Sequence, residues 1–280
     1  MNNKRIFAVL VLLPAFTCIK GQGSVFPSNI KNEQTEDHFS KWRIGIQWGG
    51  AYLLSSFSDF DKKLQYMIMP QQEENNKKRQ FRNGIYLGSD VHYFINDDFG
   101  AGLKYSLFTN SVEIDCHYWT IGLTGLQPIY RGTPVTIYYP MNMKNNIYVN
   151  YIGPSVVFNQ WLNKNHKFRI SEELSVGYAH YRHEDRYAPY QYQKTRMSTV
   201  VLFKNCLTKG NTWGGNIRLS FDYYLNSMFS IGASAGVFYA KYKTVKFSKK
   251  ENTNVTYDLH KKYHIDMSRV DYSLGARFHF

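Results

Sequence analysis

The residues best suited to metal or acid–base chemistry lie together in HYRHEDRY, residues 180–187. Histidine nitrogens and carboxylate oxygens are the ligands that zinc uses. The segment has the pattern of a strand running into a connection, so His180 and His183, three positions apart, should face opposite sides. Because zinc ligands must converge, we expect a solvated strand end here and no metal site. The sequence also contains no glycine-rich phosphate loop or Walker-type motif, and we expect no cofactor.

Two cysteines, Cys116 and Cys206, lie far from the N-terminus. Both fall in long predicted connections, the second and the third, which should be neighbours in space. A disulfide between them is geometrically possible. Two unpaired thiols fit the sequence equally well.

The elements that would position such residues are strands. The chain ends in VDYSLGARFHF, residues 270–280, in which every second residue is apolar or aromatic. Successive side chains of a strand point to opposite faces, so this segment has one apolar and one polar face. Seven more segments alternate in the same way, and they begin at Trp42, Gly84, Ala101, Ile147, Phe168, Asn216 and Phe229. The sequence therefore predicts eight strands, with a bulge or phase slip near Pro154 and no helix of comparable periodicity.

The connections between these strands are alternately short and long. The short ones cover residues 96–100, 163–167 and 226–227, and the long ones cover residues 55–82, 110–144, 182–210 and 241–264. Strict alternation in an antiparallel sheet places all long connections at one end and both termini at the other.

The polar face consists mostly of glycine and serine, with a nearly balanced set of charges: Arg43, Asp90, Lys104, Arg169, Glu173, Arg218, Asp222, Asp271 and Arg277. Small residues and opposite charges suit the inside of a narrow closed barrel, where eight strands leave room only for side chains. The apolar face would then meet lipid, and closure would leave no unpaired strand edge in it. The sequence predicts an all-β, eight-stranded antiparallel transmembrane barrel. A secreted soluble β-sandwich is the alternative.

The N-terminus fits export. Lys4 and Arg5 precede the apolar run IFAVLVLLPAF, which is too short to span a bilayer and is typical of a signal peptide. We predict a signal peptide at 1–21, a short periplasmic segment at 22–40 and the barrel at 41–280. Cys18 leaves a lipoprotein signal as the alternative.

In this arrangement of strands and in its ending, the chain resembles the small eight-stranded outer-membrane barrels of Gram-negative bacteria, the OmpA-barrel and OmpX-like class, and more loosely the PorT-like barrels. The ending is similar to the signal by which the outer-membrane assembly machinery recognises such barrels, here Tyr272, Leu274, Phe278 and Phe280. Because the connections contain no convergent catalytic set, we expect no catalytic activity, and we expect a monomer. The resemblance implies a location in the cell outer membrane. It also leaves open an accessory barrel of a secretion system and a lipid A-modifying enzyme, although no His-x-Ser pair lies on the apolar face of a predicted strand.

The net charge of +13 concentrates in the long connections. At the outer end of such a barrel, basic residues would meet the phosphates of lipopolysaccharide. The candidate contacts in the fourth connection are Lys243, Lys246, Lys249, Lys250, Lys261 and Lys262. Plain solvation of the connections, or protein binding through the tyrosine-rich stretch YAPYQY at 187–192, is the alternative, and the compartment excludes nucleic acid.

Overall fold

The barrel is formed by eight strands, as the alternation predicts. The structure, a computed structural model, describes residues 40–55, 67–68, 71–122, 135–163, 165–189, 206–249, 253–258 and 264–280. Its elements are β1 (Trp42–Leu53), β2 (Met67–Ile68), α1 (Gln71–Arg82), β3 (Asn83–Phe94), β4 (Phe99–Gly122), β5 (Val135–Trp161), β6 (Phe168–Pro189), β7 (Cys206–Tyr224), β8 (Phe229–Tyr242), β9 (Thr244–Lys249), β10 (Thr253–Asp258), β11 (Ile265–Asp266) and β12 (Arg269–His279).

The sheet closes because the first and last strands pair. β1 pairs with β3 on one side and with β12 on the other, and β8 pairs with both β7 and β12. Beyond the end of β12, the Trp42 amide donates to the Phe280 carbonyl at 2.8 Å and the Phe280 amide donates to the Trp42 carbonyl at 3.0 Å. The closed antiparallel barrel of eight strands is thereby confirmed, with both ends of the described chain at the same rim.

Regular structure continues into spans that the sequence analysis treated as connections. β4 and β5 remain paired up to Gly122 and Val135, and β6 continues to Pro189. β7 pairs with β8 only from Gly214 onwards. Its earlier residues, up to Gly210, pair with β9, and Gly210 lies opposite Val245. The boundaries predicted for the second, third and fourth connections are therefore wrong. Where side chains are described in these spans, most of the outward-facing ones are polar, such as Glu113, Lys144, Arg182 and Lys209, so the contrast between faces that marks a membrane strand fades.

Helix α1 was also missed. Its sequence, QQEENNKKRQFR, has no apolar stripe, and only Phe81 supplies a large apolar side chain. Phe81 is buried in a cluster with inward-facing residues of the barrel. The Asn110 side-chain amide donates to the Gln80 carbonyl at 2.9 Å and holds the end of the helix against β4. One anchoring apolar residue and a few tertiary hydrogen bonds, among them that of Lys77 Nζ to the Glu113 carbonyl at 2.7 Å, leave no periodic signal in a sequence.

Pro154 causes no phase slip. Ile152 lies opposite Tyr178 and Ser155 opposite Ser175, so three residues advance on each strand and the register is kept. The ladder is only interrupted, since proline lacks the amide donor. The neighbouring Gly153 and Gly177 let the two backbones approach closely, because a Cβ added to Gly153 would lie 2.6 Å from the Gly177 Cα. The predicted bulge is therefore wrong.

Candidate functional site

The barrel is polar inside and apolar outside across its membrane-facing part. The outward-facing side chains of Trp48, Trp213 and Leu274 are 66%, 73% and 69% exposed. The nine charged residues predicted for the interior are all buried, at 5% exposure or less: Arg43, Asp90, Lys104, Arg169, Glu173, Arg218, Asp222, Asp271 and Arg277. An apolar surface around a charged interior is the reverse of the arrangement in a water-soluble protein.

A hydrogen-bonded group around Asp90 occupies the interior near the rim with the termini. The Gln47 side-chain amide donates to Asp90 Oδ2 at 3.2 Å, and the Arg43 guanidinium lies 3.5 Å from Asp90 Oδ1. His92 Nδ1 lies 3.1 Å from Asp90 Oδ1, and His92 Nε2 lies 2.8 Å from Ser155 Oγ. Ser155, His92 and Asp90 thus stand in the order of a nucleophile, a base and an orienting acid. Ser155 is only 4% exposed and His92 is fully buried.

This Ser-His-Asp chain was not predicted from the sequence. A catalytic set was expected on the outward face, whereas these three residues face inward. Asp90 and His92 are two positions apart on β3, a spacing that places them on one face. Ser155 lies on β5, and β4 intervenes. No local pattern joins residues from two strands that do not pair.

A second group crosses the middle of the barrel. Lys104 Nζ lies 3.0 Å from Glu173 Oε1 and donates to Asn216 Oδ1 at 2.7 Å. The Arg218 guanidinium donates to Gln47 Oε1 and to the Tyr86 hydroxyl. These bonds join β1, β3, β4, β6 and β7 across the interior. Pairing of this kind offsets part of the large cost of burying each charge.

Asp222 lies between two arginines. The Arg277 guanidinium donates to Asp222 Oδ1, and Arg169 NH2 lies 3.9 Å from Asp222 Oδ2. Arg169 is also surrounded by rings, with its guanidinium carbon 4.8 Å from the Tyr224 ring centroid and 5.4 Å from that of Trp161. Cation–π contacts of this kind stabilise an arginine that has more donors than acceptors around it.

Arg269 belongs to the same interior set and was not predicted. It is fully buried, its Nε donates to Asp271 Oδ1 at 2.8 Å, and its guanidinium carbon lies 3.9 Å from the Phe238 ring centroid. The signal was available, because Arg269 precedes Asp271 by two positions and so shares its face. The predicted strand began one residue too late to include it.

The outer part of the interior is apolar. Aromatic and aliphatic side chains from the barrel strands form a buried cluster with Phe81 of α1, and it includes Leu53, Phe108, Tyr151, Tyr181, Phe238 and Tyr242. Small residues and charges were predicted throughout the interior, and this apolar cluster corrects that prediction. Since these strands continue past the exposed apolar belt, their inward side chains pack as in a soluble protein.

The predicted assembly residues lie on the outward face. Tyr272, Leu274, Phe278 and Phe280 are all exposed, on or directly after the strand that closes the barrel. Phe278 packs against Phe229 with ring centroids 5.0 Å apart. These four residues thus present an apolar, partly aromatic stripe.

The basic residues predicted for lipopolysaccharide contact are only partly described. Lys243 and Lys246 are exposed near the outer end of the barrel. Lys249 ends β9, but its side chain, together with Lys250, Lys261 and Lys262, lies outside the described part of the structure. Exposed arginine and lysine side chains on β5, β6 and β7 add to the positive charge at this end.

The two cysteines lie on strands. Cys116 is in β4 opposite Met141, and Cys206 begins β7 opposite Asp185. β5 and β6 separate them, which at about 4.8 Å per strand puts their backbones roughly 14 Å apart across the sheet, and the offset between Pro189 and Asp185 along β6 adds to this distance. A disulfide requires Cα atoms closer than about 7 Å. A disulfide between Cys116 and Cys206, one of the two possibilities that the sequence left open, therefore does not fit this register.

The histidines of HYRHEDRY separate as predicted. His180 Nδ1 lies 2.6 Å from Asn211 Oδ1 on the outward face, whereas His183 Nε2 lies 3.0 Å from the buried Asp185. Within the described ranges, no group of three or more His, Cys, Asp or Glu residues is placed to hold a metal ion.

Together, the closed sheet, the exposed apolar belt and the charged interior define an outer-membrane-type β-barrel. Among the residues described, no helix is long and apolar enough to cross a membrane. No family model and no curated protein matches the chain.

Solved structures similar to this chain include several outer-membrane proteins. A major outer membrane protein of Thermus thermophilus aligns with a TM-score of 0.44 and 12% identity, over 85% of this chain and 99% of that one. Neisserial surface protein A gives 0.41 and 11%, over 86% and 98%. The outer membrane protease OmpT of Escherichia coli gives 0.39 and 10%, over 71% and 64%. At such low identity the likeness concerns the fold alone.

Proposed function

We propose that the protein is a non-enzymatic barrel of the cell outer membrane that holds a basic surface against lipopolysaccharide. The observation that carries this proposal is the position of the charges. Buried charges lie inside the barrel beside partners, such as Lys104 beside Glu173, whereas basic side chains such as Lys209, Lys243 and Lys246 are exposed at the outer end. Lipopolysaccharide is the abundant polyanion in that position.

The interior supports a structural role. Side chains from several strands meet across the middle of the barrel, where Arg218 reaches both Gln47 and Tyr86. Inside the barrel, the aromatic cluster with Phe81 lies between this layer and the outer end. A lumen filled by paired charges and covered by packed rings serves as a plug that stiffens the barrel.

The proposal is tested with the purified barrel in detergent and purified lipopolysaccharide. The wild type should bind at low salt and lose affinity as salt rises, because exposed charges are screened. Changing Lys243, Lys246, Lys249, Lys250, Lys261 and Lys262 to Gln should weaken binding while heat-modifiable gel migration persists. Salt-independent binding by the wild type, or equal binding by the six-Gln variant, would argue against the electrostatic role and favour aromatic contacts of residues 187–192.

Hydrolysis is a second candidate function, and one observation favours it: Ser155, His92 and Asp90 have the spacing of a catalytic triad. The burial of all three side chains opposes it, since a substrate must reach the serine oxygen. A fluorophosphonate probe distinguishes the two functions. The structural role predicts no labelling of the folded barrel, whereas labelling that Ser155→Ala abolishes would establish a reactive serine.

An accessory role in a secretion system, as the PorT-like resemblance implies, is compatible with the same barrel. A pull-down from membranes would reveal it as co-purification with a secretion complex.

A further inference from the structure

Three basic residues stand side by side across three adjacent strands. Arg182 on β6 lies directly opposite Lys209 on β7, and Lys209 lies directly opposite Lys246 on β9. All three side chains are exposed, and the residues next to them on the inward face, Tyr181, Gly210 and Val245, are buried. Arg182, Lys209 and Lys246, called here the cationic row, therefore share the outward face.

Such a row is unfavourable by itself. Directly opposed residues of an antiparallel pair have Cβ atoms about 5 Å apart, and like charges at that separation repel. Lys209 has a basic residue opposite it on both sides. An anion bound among these three side chains on the outward face would attract all of them and offset their mutual repulsion.

The surrounding charges leave the row positive. Glu184 ion-pairs with Arg182 and lies 3.3 Å from Arg186 NH2. Arg186 is itself opposite Lys144, which is opposite Glu113. Among the side chains that the structure describes, the outward faces of β4, β5, β6, β7 and β9 here thus present five basic residues, Lys144, Arg182, Arg186, Lys209 and Lys246, and the two acidic residues Glu113 and Glu184.

The height of the row identifies its ligand. Tyr178 and Trp213 lie directly opposite one another and are exposed, as aromatic side chains at a membrane interface are. Arg182 follows Tyr178 by four residues along β6, which on a tilted strand is about 10 Å further outward. Because aromatic rings at the interface sit at the level of the headgroups, charges about 10 Å beyond Tyr178 lie at the outer side of the headgroup layer, where the phosphorylated sugars of lipopolysaccharide meet water.

We infer that the cationic row binds a phosphate of the lipid A headgroup of lipopolysaccharide. This inference rests on the proposed function and names its site. Arg182 can offer two parallel N–H groups to phosphate oxygens, and the two lysines add point charges. The pair of His180 and Asn211, between the girdle and the row, places polar side chains beside the sugar to which that phosphate is attached.

The test compares two triple variants that each remove three charges. One changes Arg182, Lys209 and Lys246 to Gln. The matched control changes Lys41, Lys164 and Lys167 to Gln; Lys41 and Lys167 are exposed at the opposite rim, and Lys164 lies in the short connection predicted at residues 163–167. Heat-modifiable gel migration of each variant confirms folding, and affinity for purified lipopolysaccharide in detergent is the readout, with enzymatically dephosphorylated lipopolysaccharide and inorganic pyrophosphate as further probes.

The row variant should bind lipopolysaccharide on the order of 100-fold more weakly than the wild type, at roughly a factor of five for each charge. The control should bind within a few-fold of the wild type. Dephosphorylated lipopolysaccharide should bind wild type and row variant equally weakly, and pyrophosphate should not displace the intact lipid at equal concentration. Full affinity of the folded row variant, with binding by the wild type intact, overturns the site while leaving the proposed function standing. Absence of wild-type binding overturns both.

Discussion

Lys104 Nζ lies 3.0 Å from Glu173 Oε1 inside the barrel, and both side chains are almost completely buried. The two residues come from β4 and β6, which are separated by β5. The ion pair therefore bridges strands that share no backbone hydrogen bonds, and it links the interior charges to the stability of the barrel.

Breaking this pair from one side should be costly. Lys104→Met leaves Glu173 as an uncompensated buried charge, and we expect the free energy of unfolding to fall by about 3–5 kcal/mol. Guanidinium unfolding of the barrel in detergent, followed by gel mobility, measures the loss. The double variant Lys104→Met/Glu173→Leu removes both charges and should recover most of the stability. A double variant no more stable than the single one would show that the two residues are not coupled.

The prediction that the apolar face of the strands meets lipid is tested at Leu274. Its side chain is 69% exposed and lies on β12 opposite Trp48 and Ala233. Leu274→Arg should cost about 2–4 kcal/mol, because a charge near the middle of a lipid-facing surface is poorly solvated. The conservative Leu274→Met should cost less than about 1.5 kcal/mol. Equal stability of both variants in lipid bilayers would place this face in water. Leu219 is a poorer choice, since Glu172 lies opposite it and can pair with an introduced arginine.

The barrel could be predicted from the sequence because period-two alternation and alternating connection lengths are local signals. The interior position of charged residues such as Asp222 and Arg277 could also be predicted, since alternation tells which face of a known strand each side chain occupies. Helix α1 could not be predicted, because its packing depends on Phe81 and a contact to β4. The cationic row could not be predicted either, because Arg182, Lys209 and Lys246 lie opposite one another only through the register between strands, which no single strand encodes.

Assembly should depend on the last residue. The closing contact between Trp42 and Phe280 is made by backbone atoms, whereas the Phe280 ring is exposed. Phe280→Asp should therefore lower the amount of folded barrel in the outer membrane at native expression, since it removes an aromatic anchor and the residue that the resemblance implies is recognised. Phe280→Tyr keeps an aromatic ring and should assemble normally. Unchanged amounts of the folded Asp variant would exclude a role for the terminal side chain.

The filled lumen predicts an electrically silent barrel. Planar bilayers containing the purified protein should show no stable current steps, because Arg218, Gln47 and Tyr86 meet across the interior. Removing two of these contacts with Arg218→Ser should produce openings if the layer is what blocks ions. Ohmic steps from the wild type would contradict a structural plug and favour a transport role.

The central claim is that the apolar face meets lipid, and Trp48 tests it most directly. It is 66% exposed and lies between Leu87 and Leu274 on the neighbouring strands. A variant that retains Trp48 and replaces Trp42, Trp119, Trp161 and Trp213 with Phe is reconstituted into bilayers of lipids brominated along the acyl chain. A second protein, carrying Trp48→Phe and Tyr86→Trp in the same background, places its one indole on the buried inward face.

We expect strong quenching of Trp48 fluorescence by the brominated chains, weaker quenching of the inward indole, and little quenching of Trp48 by aqueous acrylamide. Efficient acrylamide quenching of Trp48 without quenching by brominated lipid would contradict a membrane-spanning barrel.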